Sequence, residues 1–81
     1  MADRDDVLKR VIKVTAQVLK LEPAQVKPEA NFVFDLGAES VDSISLVAGF
    51  EKEFNIEMEE EAALEVQTVA NAVDFVMKYV K

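Results

Sequence analysis

The sequence predicts an all-α fold, a four-helix bundle built from three longer helices and one short one. Three observations carry that expectation. Apolar residues recur at three- and four-residue intervals in separate stretches, and only two glycines and two prolines interrupt 81 residues. Strict period-two alternation, the mark of a half-buried strand, nowhere persists. A chain this short is expected to form one domain over residues 1–81. It buries only about 60–65% of its unfolded surface, so the core is single and thin.

The first helix opens where Asp3 and Asp6 place acid at an N-terminus, and Val7, Leu8, Val11, Ile12, Thr15, Val18 and Leu19 form its apolar stripe. It is expected to stop near Leu21, because Glu22 precedes Pro23 and a residue before proline is driven away from helical geometry. Pro28 keeps the next segment irregular. The resulting connection over 22–39 exceeds the roughly 12–15 residues that structureless loops normally reach. Its apolar content requires it to pack on the helices, with Phe32 and Leu36 inserted and Phe34 partly exposed. The second helix is expected from Val41 to Phe54, turning Ile44, Val47, Ala48, Phe50 and Phe54 to the core and Asp42, Glu51 and Glu53 to water. Gly49 interrupts it at a cost of about 0.5–1 kcal/mol relative to alanine, which reads either as neutral tolerance or as close approach of another element. Asn55 ends that helix, and Glu57 to Glu65 suit a short acidic third one. Thr68 caps a last helix over Val69 to Val80, whose stripe is Val69, Ala72, Val73, Val76 and Val80.

Histidine and cysteine are both absent. Their loss removes the Ser–His and Cys–His nucleophile pairs, the usual neutral-pH proton shuttle, disulfides and the usual zinc ligands. The chain is therefore expected to be no enzyme and to hold no metal. Paired carboxylates could still act as acid and base, but a small helical domain has little material for the walled cleft that chemistry needs. No run supplies alternating Asp or Asn ligands with glycine at the sixth position of a calcium loop.

The net charge is −7, and its distribution is lopsided: residues 35–65 carry ten acids against one base, while both flanks are close to neutral. Such a field repels nucleic-acid phosphates and anionic headgroups and attracts proteins bearing Lys and Arg patches. A face kept acidic only for solubility is the plainer alternative. No apolar stretch approaches the roughly 20 residues of a membrane span, and the start Met1-Ala2-Asp3-Arg4-Asp5-Asp6 is the opposite of a secretory signal. These features predict a cytoplasmic monomer without membrane insertion or nucleic-acid binding.

At the centre of the acidic region, Leu36-Gly37-Ala38-Glu39-Ser40-Val41-Asp42 places a serine where loop turns into helix. Gly37 lets the backbone turn, and Glu39 and Ser40 suit a helix entrance. The first amide N–H groups of a helix lack internal partners and the helix dipole is positive there, so a phosphodiester on Ser40 fits. The local alternative is that Ser40 is simply an N-cap.

The chain as a whole resembles the acyl carrier proteins. The most specific stretch is Phe32-Val33-Phe34-Asp35-Leu36-Gly37-Ala38-Glu39-Ser40-Val41-Asp42-Ser43-Ile44-Ser45-Leu46-Val47, similar to that family's F-V-x-D-L-G-A-D-S-L-D-[ST]-x-E-L-V. Glu51-Lys52-Glu53-Phe54 resembles its E-E-E-F, and Thr68-Val69 with Ala72-Val73-Asp74-Phe75-Val76 resembles its T-V…A-I-D-Y-I. The resemblance implies that Ser40 is esterified by 4′-phosphopantetheine, delivered from coenzyme A by a phosphopantetheinyl transferase. Acyl groups would then ride as thioesters in fatty acid, polyketide or specialised lipid biosynthesis. Acyltransferases, ketosynthases and acyl-ACP ligases with basic patches become the expected partners. A serine without a base suits an acceptor whose modifying enzyme brings the base, and a chain without sulfur nucleophiles must import its thiol on a cofactor. Ser43 and Ser45 compete on composition, but only Ser40 stands three residues after Gly37 and six before Leu46. The alternative function is an unmodified, carrier-like acidic subunit acting as a protein interaction module.

Asp35, Glu39, Asp42, Glu51 and Glu53 are the expected partner-recognition acids. Ser45, Lys52 and Leu64 stand where the family usually has acid, suggesting a specialised member. Phe32, Ile44, Val47, Ala48, Phe50, Phe54, Val69 and Val73 are the expected acyl pocket and core. Ala48 and Gly49 would make room for a chain, unless Phe50 and Phe54 refill it.

Overall fold

Asp3 accepts a hydrogen bond from the Asp5 amide at 3.0 Å and so caps the first helix, α1 (Arg4–Leu19), whose first turn carries Asp5 and Asp6. In the computed structural model, which describes residues 3–80, three further helices follow: α2 (Ser40–Phe54), α3 (Glu60–Leu64) and α4 (Val69–Met77). Met1, Ala2 and Lys81, part of the expected 1–81 domain, lie outside the described residues. Three longer helices, a short one and no strand among the described residues make the fold all-α, as the apolar periodicity requires. None of these helices is long and apolar enough to cross a membrane.

The helix ends differ from the periodic pattern where a particular residue intervenes. α1 stops two residues before Leu21, because Lys20 takes the left-handed conformation (φ 59°) and the Lys20 and Leu21 amides both donate to the Ala16 carbonyl. α3 begins at Glu60 rather than Glu57: the Met58 amide donates to the Glu51 carboxylate at 2.9 Å, which holds the chain extended while the Met58 side chain is buried. α4 ends at Met77 rather than Val80, in a turn where the Tyr79 and Val80 amides converge on the Val76 carbonyl. Thr68 caps α4 as expected, its hydroxyl accepting from the Asn71 amide at 3.1 Å.

α1 packs against both α2 and α4 and buries Val7, Val11 and Val14 between them. α4 contributes Val69, Ala72, Val73 and Val76, and α2 contributes Leu46, Phe50 and Phe54. The long connection is ordered by a short 3-10 turn (Pro23–Gln25) and by buried Val26, Ala30, Phe32 and Ala38, with Leu36 packed partly against them. It is also stitched to the start of α4: the Phe32 amide donates to the Gln67 carbonyl, Val69 to Ala30 and Ala70 to Pro28, around an isolated antiparallel bridge between Asn31 and Thr68. These bonds satisfy backbone groups that a packed loop would otherwise leave unpaired.

Two expectations for α2 need correction. Ile44 is 56% exposed and Ala48 is exposed, so neither belongs to the core. The buried phase of α2 runs through Leu46, Phe50 and Phe54, and residues two apart sit roughly 200° around a helix, which sends Ile44 and Ala48 to the opposite side. Gly49 leaves no free space either. A Cβ there would lie 2.7 Å from Val14 Cγ1, so its missing side chain is what lets α1 and α2 approach.

Candidate functional site

Ser40 is placed by a tightly bonded loop ahead of it. Asn31 organises that loop: its side-chain oxygen accepts from the Val33 and Phe34 amides at 2.9 and 3.0 Å, and its carbonyl accepts from Asp35 and Leu36. Its own amide donates to Asp35 Oδ2 at 2.7 Å. Phe32 and Ala38 anchor the two ends in the core, joined by a 2.8 Å bond from the Ala38 amide to the Phe32 carbonyl. Between them Gly37 has φ +73°, with nothing within 4 Å of a would-be Cβ, so backbone conformation rather than space calls for glycine.

The capping residue of α2 is Glu39, not Ser40. Glu39 and Asp42 form a reciprocal capping box in which each carboxylate accepts the other's amide, that of Glu39 reaching Asp42 Oδ2 at 2.9 Å. Ser40 is the first helical residue and is exposed, and its hydroxyl is not spent on capping. The first intrahelical bond runs from the Ser43 amide to the Glu39 carbonyl, which leaves the Ser40 and Val41 amides unpaired within the helix. An exposed alcohol, two such N–H groups and a positive helix end fit a phosphate ester. Opposing it, Glu39 and Asp42 add negative charge, softened because each already accepts an N–H. Ser43 is half-buried with its hydroxyl 3.4 Å from the Glu39 carbonyl, and Ser45 is exposed.

A cavity of about 280 Å³ opens between α2, α3, α4 and the loop, beginning one turn below Ser40 at Ser43. Of the expected pocket residues, Phe32, Val47 and Phe50 line it. Phe54, Val69 and Val73 are buried elsewhere in the core, and Ile44 and Ala48 face away. The remaining wall includes Met58, Val66 and Phe75, which sequence reasoning did not assign to the pocket, and Leu64, which it marked only as a departure from the family's acids. A signal existed for Phe75, three residues after Ala72 on the same stripe. The apolar residues embedded in the acidic run carried none.

The five expected recognition acids each have a bond inside the chain. Asp35 holds the Asn31 amide, Glu39 and Asp42 hold each other's, and Glu51 holds that of Met58. Glu53 departs furthest from the expected solvent-facing role. It lies against α1, with Oε2 2.8 Å from Arg10 Nε and Oε1 3.0 Å from Lys13 Nζ, and only 19% of its side chain is exposed. The hydrogen bond from Arg10, then that from Lys13, hold its carboxyl below the usual 4.5. The Arg10 guanidinium also sits 4.5 Å from the centre of the Phe54 ring, joining the ion pair to the core.

Residues 9–76 match the model of the phosphopantetheine attachment site family. An acyl carrier protein of Phenylobacterium zucineum (strain HLK1) is 45% identical over 73 residues, covering 90% of this chain and 92% of that protein. One of Caulobacter vibrioides (strain NA1000 / CB15N) is 45% identical over 71 residues, covering 88% and 91%. The chain therefore belongs to the acyl carrier proteins, non-catalytic carriers whose covalently attached cofactor is phosphopantetheine.

Proposed function

We propose that Ser40 is the residue that bears 4′-phosphopantetheine, and that the chain carries acyl intermediates of fatty acid, polyketide or specialised lipid biosynthesis as a single cytoplasmic, monomeric domain. The observation that carries this assignment is that Glu39 performs the capping, so the Ser40 hydroxyl stands exposed and unused at the positive end of a long helix. Once bound, the group supplies the terminal thiol on which acyl chains are held as thioesters. The protein's own part is to present the alcohol, to lend the Ser40 and Val41 amides to the phosphate, and to shelter the chain. The apolar cavity starting at Ser43 supports that last role, with Phe32, Val47, Phe50 and Phe75 as its walls.

A phosphopantetheinyl transferase brings the base that Ser40 lacks, and acyltransferases, ketosynthases or acyl-ACP ligases load and consume the cargo. The acids of residues 35–65, including Asp35, Glu39, Asp42, Glu51 and Glu53, form the long-range field that draws partners with basic patches. Intact-mass measurement after incubation with coenzyme A and a phosphopantetheinyl transferase tests the assignment. The wild type gains one phosphopantetheine and Ser40→Ala gains none. A modified Ser40→Ala would move the site to Ser43 or Ser45.

A further inference from the structure

The wall of the cavity below Ser40 is not uniformly apolar. Asn31, Ser43 and Gln67 bring polar side chains to it, and the other lining residues are aliphatic, aromatic or methionine. Asn31 is the most constrained of these. Its backbone amide donates to Asp35, its carbonyl accepts from Asp35 and Leu36, and its side-chain oxygen accepts from the Val33 and Phe34 amides at 2.9 and 3.0 Å. Two N–H groups converging on one atom fix which end of the side-chain amide is the oxygen. The other end, Nδ2, is thereby an oriented donor without a partner among the described residues. Gln67 brings a second amide to the same corner, where its carbonyl accepts the Phe32 amide at 2.9 Å next to the bridge between Asn31 and Thr68. Ser43 adds a loosely held hydroxyl, 3.4 Å from the Glu39 carbonyl and beyond the usual O–H···O range of about 2.5–3.0 Å.

A saturated acyl chain has no use for these groups. Seating one strips water from the half-buried Asn31 amide and returns no hydrogen bond, a cost that an oxygen atom on the chain removes. We infer, resting on the carrier reading above, that the cavity is matched to acyl chains bearing a carbonyl or hydroxyl oxygen, to which Asn31 Nδ2 donates with Gln67 beside it. Phe32, Val47 and Phe50 cover the hydrocarbon remainder. The bonds that pin Asn31 orient the donor before cargo arrives, so little further ordering is needed. Discrimination follows because an analogue lacking the oxygen leaves the donor unpaired.

The test loads octanoyl, 3-hydroxyoctanoyl and 3-oxooctanoyl groups onto the whole chain from their coenzyme A thioesters with a phosphopantetheinyl transferase. Eight carbons suit the space, since a cavity of about 150 Å³ accepts benzene and this one has about 280 Å³. In the wild type the Asn31 side-chain amide protons should move downfield in both oxygenated forms relative to the octanoyl form and the cargo-free phosphopantetheine form. Asn31→Asp keeps the oxygen that the Val33 and Phe34 amides need and removes the donor. It should lower the Tm of the oxygenated forms by about 4–8 °C more than that of the octanoyl form. Gln67→Met, which adds no charge, should act in the same direction by less, separating lost donation from the new charge of the first variant. A response to one oxygenated form alone supports the inference and identifies the oxygen. Asn31 side-chain signals identical in the octanoyl and oxygenated forms, with equal Tm losses across them, overturn the cargo preference and leave the carrier reading standing. A shift already complete in the cargo-free form also overturns it, giving the donor to the arm. Failure of the wild type to be modified overturns the carrier reading itself.

Discussion

Thr15 sits on α1 with 0% of its surface exposed, and its hydroxyl has no hydrogen-bond partner among the described residues. A buried hydroxyl without a partner keeps its desolvation cost unrepaid. Thr15→Val, close to it in volume, should therefore stabilise the protein by about 1 kcal/mol, read as a rise in urea midpoint at constant m-value. Gly37 gives the opposite sign for a different reason. At φ +73° with open space around it, Gly37→Ala should lose about 1–2 kcal/mol through backbone strain alone, and no neighbouring substitution should restore it. Both residues could be picked out in the sequence, Thr15 as a stripe member and Gly37 as a turn former. The fate of the Thr15 hydroxyl could not, because it depends on which groups of other helices come near.

Between elements, two contacts fix how α1 and α2 meet. Gly49 faces Val14 so closely that Gly49→Ala should destabilise despite alanine's better helix propensity, and Val14→Ala in the same chain should recover much of the loss. A double-mutant cycle in urea gives that coupling directly, and additive losses would contradict the packing argument. At the other contact Glu53 is clamped by Arg10 and Lys13, and its carboxyl titrates below the ordinary 4.5. A lowered folded-state pKa means that the stabilisation is complete above the unfolded value and is lost as pH falls through the folded one. Wild-type stability should thus decline below about pH 4.5, and the decline should be shallower in Glu53→Gln when unfolding is followed across that range. The helices themselves were legible from periodicity, to within a residue or three at most ends. The face each helix buries was less so on α2, where Ile44 and Ala48 share the apolar character of Leu46 and Phe50 but not their direction.

For the molecule as a whole, the cavity predicts how cargo and stability are linked. Acyl chains of increasing length on Ser40 should raise Tm until the roughly 280 Å³ is filled, since binding to the folded state alone stabilises it. Amide chemical shifts at Val47, Phe50 and Phe75 should move with chain length while those at Ile44 and Ala48 stay put, and the reverse pattern would place the chain on the other side of α2. The number and type of helices, the loop turning at Gly37, the family and the lone serine at a helix entrance were all written in local order along the chain. Periodicity, turn chemistry and motif spacing involve residues only a few positions apart, so they survive without the fold. Tertiary structure decided that Glu53 belongs to a clamp on α1, that Ile44 and Ala48 face away from the core, and that the pocket wall includes Met58, Leu64 and Phe75. Burial and charge pairing are properties of distant segments brought together, and a one-dimensional pattern does not contain the distances between them.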